Sequence, residues 1–97
     1  VWRPVAHRPP VETEQEAMEL AKGTRYGRAG SVWTSDLGKG QRVAEGIDSG
    51  MVWVNCWLHR DLRVPFGGVK DSGIGREGGR WSLGFFSEAM NVCVKHD

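Results

Sequence analysis

An α/β fold built from βαβ units around a mainly parallel sheet is what the sequence predicts, and three observations carry that prediction. The apolar run at 51–55 (MVWVN) is continuous rather than alternating, as in a strand covered on both faces. Two stretches with helical spacing, near 14–22 and 37–48, are separated by short β-branched runs. The resulting order of strand, helix, strand, helix, strand belongs to parallel sheets with right-handed crossovers.

Each element has its own justification. Residues 1–11 contain Pro4, Pro9 and Pro10. Proline lacks the N–H that a ladder needs, so this segment is an edge strand or an irregular lead-in. Thr13 followed by Glu16 reads as a capping box, and Glu12 and Glu14 favour the positive end of the helix. Ala17, Leu20 and Ala21 then share one face, and Gly23 closes the helix as a C′ residue. Residues 29–34 (AGSVWT) form the next strand. Asp36 caps a second helix over 37–48, with Val43 and Ile47 facing inward and Gly50 ending it. Gly38, Gly40 and Gly46 weaken that helix by about 1 kcal/mol each relative to alanine. Trp81, Leu83, Phe85 and Phe86 supply apolar bulk to a short helix within 80–89, and 91–95 (NVCVK) is a terminal strand.

Between these elements lies the most informative stretch. Residues 57–79 are too long for a plain connection and lack apolar periodicity, which marks a functional loop. Six of the thirteen residues at 67–79 are glycine. Glycine is costly to order, so that density implies positive φ angles or close approach by another surface. A loop of this kind, fed by a buried strand, belongs at a site.

Composition narrows the function. The 97 residues suit one small domain, 39% hydrophobic and 26% charged. Thirteen basic residues against twelve acidic ones give a net charge of +1, which argues against nucleic acid or an anionic membrane as partner. No apolar run approaches the ~18 residues of a membrane helix. The start, VWRPVAHRPP, lacks the apolar h-region of a signal peptide. Cys56 and Cys93 lie in apolar runs and read as buried, reduced thiols, which points to the cytoplasm. Five tryptophans predict substantial buried area per element, whereas 14 glycines work against autonomous stability.

Two tempting motifs fail on context. Residues 73–78 (GIGREG) match G-x-G-x-x-G, yet the preceding GGVKDS is no buried strand, and no strand ending in an acidic residue follows at the required distance. Cys56 has no neighbouring base to activate it as a nucleophile. His7, His59 and His96 are scattered, so no metal set is expected. A stand-alone interaction module, adding its terminal strand to a partner's sheet edge, is the alternative to an enzyme.

VWVNCW at 52–57 and PFGGVKDSGIGREGG at 65–79 closely resemble the C-terminal part of the NAD(P)-dependent aldehyde dehydrogenase superfamily. The resemblance covers essentially the whole chain. Within the superfamily, NCWLHRDLRVPFGG is most similar to the dehydrogenases of 2-hydroxymuconic and 2-aminomuconic semialdehyde, which act in aromatic-compound catabolism. It implies that residues 1–86 are the C-terminal portion of a catalytic domain and 87–97 the terminal strand of an oligomerisation sheet, not a complete independent domain. NAD is the implied cofactor, with NADP as the alternative, and a homo-oligomer, dimer or tetramer, is the implied assembly.

By the family pattern, the nucleophilic cysteine, the glutamate base and the cofactor-binding strands all lie upstream of Val1. No catalytic residue is therefore expected here, and the chain alone is expected to be inactive. Three positions carry over from the resemblance. Trp2 stands where relatives pack an aromatic near the nicotinamide. Phe66 matches the aromatic of the substrate tunnel wall. Arg60, with Arg63 as its second, stands where relatives acting on apolar aldehydes carry neutral or aromatic residues. Muconic semialdehydes bear a carboxylate remote from the aldehyde, and a planar arginine fork suits a carboxylate. Asn55 is expected to satisfy backbone groups at its strand end. Arg3, Arg25 and Arg28 depart from the family's glycine or small and apolar residues, and a buried arginine costs several kcal/mol unless paired.

Overall fold

The protein is described by a computed structural model in which residues 6–97 are placed. Helix α1 (Glu14–Lys22) begins as its sequence dictates. Thr13 Oγ1 accepts the Glu16 N–H at 3.1 Å. Glu16 reaches back to the N–H of Glu12 at 3.0 Å, one residue earlier than the usual box. Gly23 ends the helix without left-handed geometry: its φ is −68°, and its N–H bonds the Leu20 carbonyl at 3.2 Å.

One βαβ unit organises the centre. Strand β2 (Ala29–Val32), helix α2 (Leu37–Gly46) and strand β3 (Met51–Val54) follow in sequence, after the two-residue strand β1 (Tyr26–Gly27). Strands β2 and β3 pair in parallel, from Ala29 opposite Met51 to Val32 opposite Val54. Asp36 Oδ1 caps α2 by accepting the Lys39 N–H at 3.0 Å. The helix stops two residues short of expectation, with Ile47 already extended at ψ 127°. Its mid-helix Gly40 has a packing reason: a methyl there would lie 2.8 Å from Val54 Cγ1, so glycine lets the helix approach the sheet. Helix α1 docks on α2 through Arg42, whose Nε and Nη2 grip Glu14 at 3.0 and 2.9 Å. That fork holds the Glu14 carboxyl below its ordinary range.

A second, antiparallel pairing escaped the sequence reading. Strand β4 (Val69–Lys70) pairs with β1, Tyr26 opposite Lys70 and Gly27 opposite Val69. Lys70 secures it, its ammonium donating to the Lys22 and Thr24 carbonyls at 3.2 Å and pairing with Asp48 at 3.2 Å. Helix α3 (Gly79–Phe86) follows, shorter than the expected 80–89 window at its C-terminal end.

Several expectations are corrected. Of the two readings of the first segment, residues 6–11 follow the irregular lead-in and not the edge strand, so one crossover is present among the described residues instead of two. The segment 91–95 pairs with no described segment of this chain, and a strand that joins an oligomer sheet takes its partner from another copy. Strand β3 is half-covered along its length and not buried on both faces. Cys56 is half-buried and Cys93 exposed, both free thiols. The described tryptophans are not fully buried either: Trp33 is 67% exposed and Trp57 56%. No hydrophobic side chain among the described residues is fully buried. The radius of gyration is 19.0 Å, against about 12–13 Å for a compact domain of this length. The expected cost of a buried arginine does not arise at Arg25, which is exposed and pairs with Asp71 at 2.5 Å. Arg28 is exposed as well, and Arg3 lies outside the described residues.

Asn55 shows how β3 ends. Its Oδ1 accepts the Thr34 N–H at 2.8 Å and its Nδ2 donates to the Thr34 carbonyl at 2.7 Å, tying the ends of the two parallel strands together. Its φ is 54°, a left-handed value that asparagine tolerates better than most residues. Asn55→Ala is expected to lose both bonds and to strain that backbone, at about 1–2 kcal/mol, read as a lowered thermal midpoint.

Candidate functional site

The site is built where β3 runs out into the 57–79 loop. Trp53 on β3 donates its indole N–H to the His59 carbonyl at 2.7 Å and packs edge-on against Trp57, ring centres 4.9 Å apart. This tethers the chain immediately before Arg60. The Arg60 guanidinium then lies over the Phe66 ring, 3.8 Å from its centroid, a cation–π contact. Its Nη2 also faces Glu77 Oε1 at 3.5 Å. Phe66 and Glu77 are themselves cross-strand neighbours, exchanging two backbone hydrogen bonds of 2.8 Å.

Arg60 and Phe66 line a cleft of about 280 Å³ with Met51, Trp53, His59 and Pro65. The wall is mostly apolar and carries one cation, the arrangement that orients a ligand with a single charged end. Arg60 is 35% exposed at its side chain, so its charge is partly desolvated but reachable.

Arg63 behaves differently. Its Nε donates to both Asp61 oxygens at 2.9 and 3.0 Å, and its side chain is 88% exposed. The pairing pulls the Asp61 carboxyl below its ordinary range and pushes the Arg63 guanidinium up. Of the sequence candidates, the fold thus joins Arg60 to Phe66 and leaves Arg63 with its own neighbour. Trp2 lies outside the described residues. Glu77 and Trp53 were not singled out from sequence. Glu77 sits among glycines with no periodic signal to show that it faces a residue 17 positions earlier.

The glycine loop is a packing device. Arg76 Nη1 donates to the Gly68 and Gly75 carbonyls at 2.6 and 2.9 Å, closing the loop on itself. Residues 73–78 follow a two-residue antiparallel strand, and the Gly78 N–H is taken by Ser82 Oγ at 2.8 Å. The described residues therefore do not fit a dinucleotide cradle, which needs a buried parallel strand and open helix N–H groups. No cluster of three or more metal-ligating side chains occurs among them. No helix of the described residues is long and apolar enough to cross a membrane.

A parallel βαβ unit thus runs into a glycine-rich loop beside an arginine-bearing cleft. The aldehyde dehydrogenase family model matches residues 1–92, and the chain belongs to that family. Its sequence is 50% identical over 95 residues to the 2-hydroxymuconic semialdehyde dehydrogenase of Pseudomonas putida, covering 98% of this chain and 20% of that one. It is 48% identical over 96 residues to the human (Homo sapiens) 2-aminomuconic semialdehyde dehydrogenase, covering 99% and 20%. Among solved structures, HpcC from Thermus thermophilus superposes with a TM-score of 0.78 at 44% identity, over 81% of this chain and 15% of that one. A Mycobacterium tuberculosis aldehyde dehydrogenase complexed with NAD+ gives 0.76 at 43%, over 81% and 16%. The chain spans about a fifth of the length of the curated relatives it matches.

Proposed function

We propose that this chain supplies the substrate-facing C-terminal fifth of an NAD-dependent aldehyde dehydrogenase that oxidises a carboxylated semialdehyde of the 2-hydroxymuconic type to the acid. The observation that carries the reading is Arg60, held over Phe66 in an apolar cleft. A fixed guanidinium there would receive the remote carboxylate of the substrate and so set its register, with the aldehyde directed toward chemistry supplied by the rest of the enzyme. The relatives' names support the substrate class. The NAD-complexed neighbour supports the cofactor, which residues outside those described would hold.

The exposed apolar surface of the described residues, including Phe86 at 82% and Val94 at 74%, supports burial against the remainder of a larger protein. Residues 87–97, whose backbone pairs with no described segment, would serve as the terminal strand of an oligomer sheet in a cytoplasmic homo-oligomer. The isolated 97-residue chain, assayed with NAD and 2-hydroxymuconic semialdehyde, is expected to show no NADH formation. Turnover by the chain alone would refute the division of labour proposed here.

A further inference from the structure

We infer that Trp53 is a positioning residue for substrate preference: its indole N–H pins a left-handed turn at 55–59 whose last peptide plane carries Arg60 into the cleft. The inference deepens the reading of Arg60 as carboxylate anchor and rests on it. Two observations lead to it. The first is the bond from Trp53 Nε1 to the His59 carbonyl, 2.7 Å long and spanning six residues. A peptide unit is planar, so the atoms from His59 Cα to Arg60 Cα move together. Fixing the His59 oxygen therefore fixes the point from which the Arg60 side chain departs.

The second observation is the backbone just ahead of that plane. Asn55 and Leu58 have φ of 54° and 57°. Asparagine tolerates the left-handed region, whereas a bulky leucine rarely enters it. Leu58 is thus held against its own preference, and the turn is tied at both ends. Asn55 bonds the Thr34 N–H and carbonyl at one end, and Trp53 takes the His59 carbonyl at the other. Trp53 is itself fixed in β3 opposite Ser31. Trp57, inside the turn, packs edge-on against it with ring centres 4.9 Å apart. Strained backbone of this kind persists only where its surroundings over-determine it, and it gathers at sites that must be pre-organised. Without the indole bond, Leu58 would relax toward negative φ and carry Arg60 away from Phe66, which now lies 3.8 Å from the guanidinium carbon. An arginine delivered on a fixed backbone has less freedom to lose when a carboxylate arrives, which is how pre-organisation raises affinity.

The test uses the full-length enzyme that carries this segment and reads a ratio: kcat/KM for 2-hydroxymuconic semialdehyde over kcat/KM for hexanal. Trp53→Phe keeps an aromatic ring and removes the donor. The ratio is expected to fall about fivefold, the worth of one neutral hydrogen bond, through KM for the carboxylated substrate. Leu58→Pro attacks the same turn without touching Trp53, since proline holds φ at about −65°. Leu58 is 61% exposed and stands outside the cleft lining, so direct contact with substrate does not enter its effect. The ratio is expected to fall at least as far in Leu58→Pro, which decides the matter if Trp53→Phe does not yield folded enzyme. An unchanged or increased ratio in either folded variant, or equal losses on both substrates, would overturn the positioning role. Arg60→Ala separates the two levels. A collapsed ratio there beside an intact one in Trp53→Phe or Leu58→Pro overturns the role of Trp53 alone. An intact ratio in Arg60→Ala removes the anchor itself, and the inference with it.

Discussion

Arg60→Ala in the full-length enzyme is expected to raise KM for the carboxylated semialdehyde by an amount equivalent to about 2–4 kcal/mol, with an uncharged aldehyde nearly unaffected. The magnitude follows from the environment of the side chain. Arg60 is partly desolvated over Phe66, in a cleft whose other walls are largely apolar. A substrate carboxylate entering that cleft gives up water, and without the guanidinium the described lining residues offer no other cation. The loss therefore exceeds that of an exposed ion pair, worth roughly 0–1 kcal/mol. Arg63→Ala should give the smaller loss, since its guanidinium is committed to Asp61 and stands in solvent. Steady-state kinetics on both substrates checks the pair of variants, and equal losses on the charged and uncharged aldehydes would sink the anchor.

Gly78→Ala is the second large effect. Gly78 adopts φ 101° and ψ 136° at the start of α3, a region that side chains rarely enter. A methyl at this position would also press into the Val64 carbonyl oxygen and come within 3.2 Å of the Leu62 carbonyl oxygen. Backbone cannot swing aside as a flexible side chain can. Strain and overpacking together are expected to cost on the order of 3 kcal/mol. Because Glu77 is the adjacent residue and bridges to Phe66, the displacement should reach the cleft as well. A thermal midpoint lowered by several degrees and a weakened preference for the carboxylated substrate are the expected readouts. An unshifted midpoint would show that the loop relaxes freely.

Local chemistry explains which parts of the fold were readable. Thr13 and Asp36 start their helices because a side-chain oxygen two or three residues from an unpaired N–H needs no information from elsewhere. The run at 51–55 became β3, and Asn55 closed the strand end, for equally short-range reasons. Strands β1 and β4, two residues each, left no pattern long enough to detect. Burial at Cys56 and Cys93 differs from expectation because it depends on what covers a residue, and the sequence names only what is to be covered.

The candidate site divides along the same line. The residues by themselves determined the family, the glycine-dense loop and the choice of Arg60 and Phe66, since motif and residue type are properties of the chain. Only the tertiary structure decided that Arg60 rests on Phe66 and Glu77 while Arg63 stays with Asp61. Loop segments far apart along the chain meet through backbone bonds such as those between Phe66 and Glu77. Those bonds carry no side-chain signature, so which cation they leave facing a cleft is set by the folded geometry.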